Sequence, residues 1–381
     1  MPETTVAPAA DQAKNFREST TTTRLASLDA LRGFDMFWII GGGELVKGLA
    51  KALNSPVLSA AILPQLEHVR WQGLHAWDVI WPLFMFVVGA SIPLSLERRK
   101  AAGATSRTLF FHALKRAVIL FAIGTVTQGN LLAWDLSLFR PCYSVLHGIA
   151  AGYLIAVALV LSVRPRARLV ILCAFLLIYW GLLMLVPVPG IGPGVLTPEG
   201  NLATFVDRAI LGPFHYGENT WFLSYLGFAS SVLLGVSAGE CLASNRTFKA
   251  KILCLLMAGS ACIAIGLLWS AAFPIIKLLW TSSFVLVSGG ISFFALALFY
   301  GIIDVLGYKR WATFFIVIGM NSLAVYVATM LFNFDLITEI FIGKLLPRLG
   351  SFDLLARATC TLSVIWALLL WMYRKKSFIR L

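Results

Sequence analysis

Residues 252–273 read ILCLLMAGSACIAIGLLWSAAF and contain no charged side chain. An apolar helix of about 20 residues is long enough to cross the ~30 Å hydrocarbon core of a bilayer. Comparable runs occur at Phe34–Leu49, Val79–Leu96, Leu109–Val126, Ser144–Val163 and Leu169–Val186, and again at Thr220–Ala243, Leu278–Leu306, Thr313–Phe334 and Leu354–Tyr373. The pattern predicts an all-α fold, a polytopic integral membrane helix bundle of about ten transmembrane helices. The first run is short and Gly-ended, and Leu278–Leu306 is long enough to tilt or break.

Composition agrees with this reading. Of 381 residues, 59% are hydrophobic and 13% charged, about half the charged share of an average soluble domain. A soluble fold is excluded on that ground. Disorder is excluded as well, because there is ample apolar surface to offset chain entropy. The net charge of +13 would suggest nucleic acid in a soluble chain. Here most Lys and Arg residues gather in alternate connections: Lys14, Arg17, Arg24 and Arg32, then Arg98, Arg99, Lys100, Arg107, Lys115 and Arg116, then Arg164, Arg166 and Arg168. Further along come Arg246, Lys249 and Lys251, then Lys309 and Arg310, and finally Arg374, Lys375, Lys376 and Arg380.

The positive-inside rule makes these segments cytoplasmic, with both termini inside and no role for nucleic acid. Topology control accounts for the clusters. A sharper reading has Arg98, Lys100, Lys115 and Arg116 receiving the phosphates of a polyanionic cofactor. Residues 1–23 are polar and rich in Thr and Ala, with no apolar core of a signal peptide. They are expected to be a disordered cytoplasmic tail ahead of a membrane domain at 24–381. The six cysteines form no CxxC pair and mostly sit inside apolar runs, so neither a disulfide framework nor a metal site is expected.

Three outer connections, 51–77, 127–143 and 187–219, are longer and more aromatic than helix linkage requires, which suggests a binding surface. Ionisable groups within or at the ends of spans are costly and therefore functional candidates. Asp35 lies one turn into the first span. Asp78 opens the second, either as a helix cap or as the partner of a histidine. Asp29 and Arg32, three apart, read as an intrahelical pair. Histidine is the side chain suited to proton transfer near neutral pH. His68 stands among Glu67, Arg70, Trp71 and Gln72, just before a membrane-entering helix. His75 and His147 are ambiguous, His112 reads as structural and His215 as solvated. Asn321 is an amide within a span, serving either as helix glue or as part of a site.

These residues resemble a known family. Arg24-Leu25-Ala26-Ser27-Leu28-Asp29-Ala30-Leu31-Arg32-Gly33-Phe34-Asp35-Met36, followed by Gly41-Gly42-Gly43, resembles the opening of the transmembrane acetyltransferases of the heparan-α-glucosaminide N-acetyltransferase type, which include many bacterial proteins. The resemblance continues through His68-Val69-Arg70-Trp71-Gln72-Gly73-Leu74, Trp77-Asp78 and Pro82-Leu83-Phe84-Met85-Phe86-Val87-Val88-Gly89. It extends to Asn201–Arg208, Leu234–Gly239 and Gly319-Met320-Asn321-Ser322. It implies acetyl transfer from cytoplasmic acetyl-CoA, as co-substrate and with no metal, to a glucosamine-type amino sugar on the far side of a bacterial inner membrane. The active histidine of the family falls on His68. With it, Asp78 would orient the imidazole and Asn321 would donate to the developing oxyanion. Trp71, Arg140, Asp207 and Arg208 would line the acceptor side, and a homodimer is implied.

Two blocks depart from the family pattern. His147-Gly148 replaces Gln-Arg, and Glu218-Asn219-Thr220-Trp221 replaces Asp-Pro-Glu-Gly. Two other functions fit the composition, an amino-sugar transporter and an inactive scaffold relative. The sequence shows neither the internal repeat nor the paired broken helices expected of a transporter.

Overall fold

A computed structural model describes residues 25–378; the expected tail at 1–23, with Arg24 and Arg380, lies outside the described residues. Helices α1 (Ala26–Phe37), α2 (Gly43–Leu53) and α3 (Pro56–Ile62) come first. Four long helices follow: α4 (Ile80–Ala101), α5 (Ser106–Thr127), α6 (Val145–Ser162) and α7 (Pro165–Leu185). The short α8 (Leu202–Leu211) precedes α9 (Tyr225–Ala243), α10 (Phe248–Ser270) and α11 (Ser282–Phe299). Helices α12 (Thr313–Met320), α13 (Ser322–Leu331), α14 (Phe334–Ile342) and α15 (Asp353–Arg374) complete the bundle.

The polar residues between apolar runs set the helix starts. Thr105, Ser144, Asn201 and Thr247 each accept a hydrogen bond from a backbone N–H of the first turn that follows. Proline opens α7, where its missing N–H costs nothing. Inside the spans, Ser230, Ser231, Ser288 and Ser292 return their hydroxyl protons to carbonyls one turn back, so these buried groups are satisfied within their own helices.

Among the described residues, eight helices are long and apolar enough to cross a membrane. Large apolar side chains such as Leu253, Met257 and Leu268 on α10 stand exposed on the outside of the bundle, as a lipid-facing surface requires. The protein is a polytopic helical membrane protein. Two of the expected ten spans, however, are not single helices. The run at Thr313–Phe334 breaks at Asn321, and α12 and α13 meet at a 70° bend. The run at Phe34–Leu49 is interrupted by a π turn at Trp38–Gly42, where Gly41 has φ 154°. That region favours a residue without Cβ, and it leaves pieces of 12 and 11 residues, each too short to span alone.

Two close glycine contacts position the site. On α4 and α9, side chains at Gly89 and Gly235 would overlap the carbonyls of Val232 and Phe86, so these two buried helices pack backbone to backbone. On α1 and α12, Gly33 lies against Phe315 and Gly319 against Asp29 in the same way. The second contact sets the broken helices side by side, and Met36 and Ile39 share a wall with Leu323 and Tyr326.

Candidate active site

The site begins where the loop after α3 turns into α4. A 3-10 turn at Ala76–Val79 starts the long helix and presents Asp78, which is 1% exposed. Asp78 Oδ2 accepts the backbone N–H of His75 at 3.1 Å and of Val69 at 3.3 Å. Its Oδ1 lies 2.8 Å from His68 Nδ1 and accepts from Lys277 Nζ at 3.2 Å. The same carboxylate therefore caps the helix end and orients the histidine. The tautomer that gives Nδ1–H to Asp78 leaves Nε2 as the basic nitrogen of the His68 ring.

Lys277 completes the cluster. Its Nζ lies 2.9 Å from His68 Nδ1 and 3.4 Å from Nε2, and its side chain is 14% exposed. Burial pulls its pKa below the usual lysine value, while the neighbouring Asp78 charge pulls the other way. Residues 67–75 reach Lys277 through backbone pairing. Gly73 N–H donates to the Ile275 carbonyl at 2.9 Å, and Gln72 bridges Ile276. On the other side, Trp71 Nε1 donates to the Leu196 carbonyl at 2.8 Å. Three connections thus hold one another together over the helix ends.

His68, Arg70 and Lys277 line a cavity of about 570 Å³ that descends between the helices. Trp77, Ile80, Trp81 and Phe84 form one wall, and Leu146, Ile149, Leu323 and Met330 others, so most of the lining is apolar. Opposed polar groups are few: Gln128, Tyr143, Asn219 and Tyr326. An apolar cavity with a small number of placed polar groups is the form of a small-molecule site. Among the described residues no cluster of metal ligands occurs.

The remaining sequence candidates are scattered. Asn321 is 1% exposed at the bend between α12 and α13, donates to the Ser377 carbonyl at 3.4 Å, and does not line the cavity. Arg140 donates to the Ser137 and Phe139 carbonyls and lies 4.8 Å over the Tyr216 ring. Asp207 is fully buried and accepts the backbone N–H groups of Trp221 at 2.7 Å and Phe222 at 3.1 Å. Burial pushes its carboxyl up to about 6, against the pull of those two hydrogen bonds. Arg208 is exposed.

Arg98, Lys100 and Lys115 are exposed as well, while Arg116 packs 4.9 Å over the Tyr153 ring with Nε buried and without a partner among the described residues. Along α4, Asp78 and Lys100 are separated by ~33 Å of helix, whereas Arg116 lies ~18 Å of helix from Gln128. Asp29 and Arg32 form the expected pair at 3.3 Å, and Arg32 also donates to Ser91. Asp35 is buried in α1, and neither carboxylate oxygen has a partner among the described residues.

The two departures from the family pattern are built into the fold. His147 Nδ1 accepts from the backbone N–H of Tyr143 and Ser144, and Nε2 lies 3.1 Å from Thr125 Oγ1. A side chain at Gly148 would collide with Trp81. Thr220 and Trp221 are buried, with Trp221 held by Asp207. Two site residues are absent from the sequence-based candidates. Lys277 had one signal, a lone cation in the otherwise apolar connection between α10 and α11. Gln128 had only its place in the polar connection 127–143, since its setting depends on hydroxyls from two other helices, one of them 198 residues away.

Residues 24–190 match the model of a domain of unknown function, DUF5009. The chain is 27% identical over 391 residues to human heparan-alpha-glucosaminide N-acetyltransferase, covering 84% of this chain and 55% of the relative. It is 26% identical over 370 residues to the mouse protein of the same name, covering 80% of this chain and 54% of that relative. The chain thus spans about half the length of the curated relatives it matches.

Proposed function

Because the chain is a distant relative of the heparan-alpha-glucosaminide N-acetyltransferases, we propose that it is a membrane acetyltransferase, with one acyltransferase domain over residues 24–381. It moves an acetyl group from cytoplasmic acetyl-CoA to the amino group of a glucosamine-type sugar on the far side of the membrane. The observation that carries this reading is His68, fixed by Asp78 and Lys277 at the wall of an apolar cavity within the bundle.

In this reading His68 Nε2 accepts a proton from the amine as nitrogen attacks the thioester carbonyl. The C–N bond forms, the C–S bond breaks, and the proton passes from His68 to the departing thiolate. Asp78 holds the imidazole with Nδ1 protonated. Lys277 divides the Asp78 charge with the imidazole and keeps the carboxylate in place. Below His68 the walls are mostly apolar and offer water few partners.

The cations proposed for the acyl donor's phosphates are Arg98, Lys100, Lys115 and Arg116. The chemistry of Arg116 fits best, because its buried Nε lacks a partner among the described residues and a phosphate oxygen would supply one. The other three stand ready in solvent at that end of the bundle. On the acceptor side, exposed Arg208 is available to a glycan, while Trp71, Arg140 and Asp207 act through the loops they hold. Asn321 acts at the bend of the broken span. The same proposal extends to a bacterial inner membrane and to a homodimer.

Replacing His68 with Ala and following acetyl-CoA-dependent acetylation of glucosamine in proteoliposomes tests the reading. Turnover should fall by about 10²- to 10⁴-fold, and undiminished turnover removes His68 from the chemistry. One observation favours a second reading, an amino-sugar transporter: the spans interrupted at Gly41 and Asn321. Glucosamine accumulation without acetyl-CoA would support it.

A further inference from the structure

Gln128 occupies the cavity wall at the end of α5, and the carboxamide is held by hydroxyls from two other helices. Ser144 Oγ donates to Gln128 Oε1 at 2.7 Å, and Tyr326 Oη donates to the same oxygen at 3.2 Å. The direction of these bonds follows from the rest of the network. Ser144 Oγ already accepts the Leu146 N–H at the start of α6, so its proton must find an acceptor. Tyr326 likewise has one hydroxyl proton, and Gln128 Oε1 is the acceptor beside it. With the carbonyl end of the amide doubly engaged, what Gln128 offers the cavity is its Nε2 hydrogens, which have no partner among the described residues.

We propose that Gln128 is a catalytic residue that donates from Nε2 to the acetyl carbonyl oxygen, stabilising the charge that develops there during transfer. This rests on the acetyltransferase reading and deepens it. As the amine attacks, the carbonyl π electrons move onto oxygen, and an amide N–H aimed at that oxygen strengthens as its charge grows. When the C–S bond breaks, the electrons return and the same N–H is left on the product acetamide. Two oriented hydroxyls fix the amide before the acyl group arrives, so little reorganisation accompanies the reaction. Asn321 is not positioned for this task, because it lies at the helix bend, away from the cavity lining.

Two variants test the assignment in the full-length protein. Gln128→Met removes the donor and keeps the length of the side chain. Gln128→Glu also gives up the amide hydrogens while leaving an oxygen for Ser144 and Tyr326. Each should lower kcat by about 10²- to 10³-fold, with KM for acetyl-CoA changed less than about threefold. A second readout is independent of turnover. The infrared carbonyl band of bound N-acetylglucosamine, labelled with ¹³C at the carbonyl, should move to higher wavenumber in both variants, because a donor has been lost. If either variant folds and retains kcat within about threefold with an unmoved band, Gln128 is not the donor. A wild type that turns over normally confines that failure to Gln128. A wild type that transfers no acetyl group overturns the acetyltransferase reading and this assignment with it.

Discussion

The Asp78–Lys277 pair makes a quantitative prediction that separates a shared buried site from two independent contacts. Asp78 is 2% exposed at its side chain and Lys277 14%, at 3.2 Å. Removing one member of a buried pair strands the other charge, at a cost of about 3–5 kcal/mol. Asp78→Asn leaves the Lys277 ammonium buried without a counter-charge and removes the anionic partner of His68. Lys277→Met leaves Asp78 with His68 and two backbone N–H donors, so its cost should fall at the lower end of that range. The double variant strands no charge, and its cost should fall short of the sum of the singles by at least about 2 kcal/mol. The measurement is a double-mutant cycle by denaturant unfolding in mixed micelles, followed by tryptophan fluorescence. Additivity within about 0.5 kcal/mol would refute the shared site, since independent sites add to that precision. Activity reads the same geometry from another side. Asp78→Asn should lower kcat by about 10²- to 10⁴-fold, because an amide at that position no longer fixes the proton on Nδ1.

Two further outcomes follow from the packing. The Asp207 carboxyl, raised from 3.8 to about 6 by burial, is protonated more readily in the folded chain than in the unfolded one. Its contribution to stability is present below about pH 4 and is lost as pH rises through about 6, a change on the order of 3 kcal/mol. Asp207→Asn should flatten the pH dependence of unfolding across that window, and an unaltered slope would show that Asp207 does not titrate there. Gly235→Ala places a methyl group onto the Phe86 carbonyl across the α4–α9 contact and should destabilise the bundle by about 1–3 kcal/mol. Thermal unfolding in detergent checks it, and a variant as stable as the wild type would show that the two backbones can separate without cost.

The length and apolarity of each run, read against the thickness of a bilayer, were enough to establish the helical membrane architecture. The runs at Val79–Leu96 and Leu109–Val126 lie within helices Ala76–Ala101 and Ser106–Thr127, since backbone groups in lipid must be satisfied inside the segment. The breaks at Gly41 and Asn321 escaped the same reading, because hydropathy averages over the one residue that interrupts the ladder. His68 and Asp78 were legible because only ten residues separate them and both flank a helix start. Lys277 lies 209 residues beyond His68, and no local pattern connects them.

Sequence alone therefore determined what depends on local composition: spans, basic connections and the His68–Asp78 neighbourhood. Which polar groups meet depends on how helices far apart in the chain pack. Gln128, Ser144 and Tyr326 come from three different helices, and close packing such as Gly124 of α5 against Ser144 and His147 brings the first two together. Asp207 shows the reverse case, a carboxylate that reads as a candidate for binding. Tertiary structure turns it inward onto the backbone of Trp221 and Phe222, because those N–H groups would otherwise be buried without an acceptor.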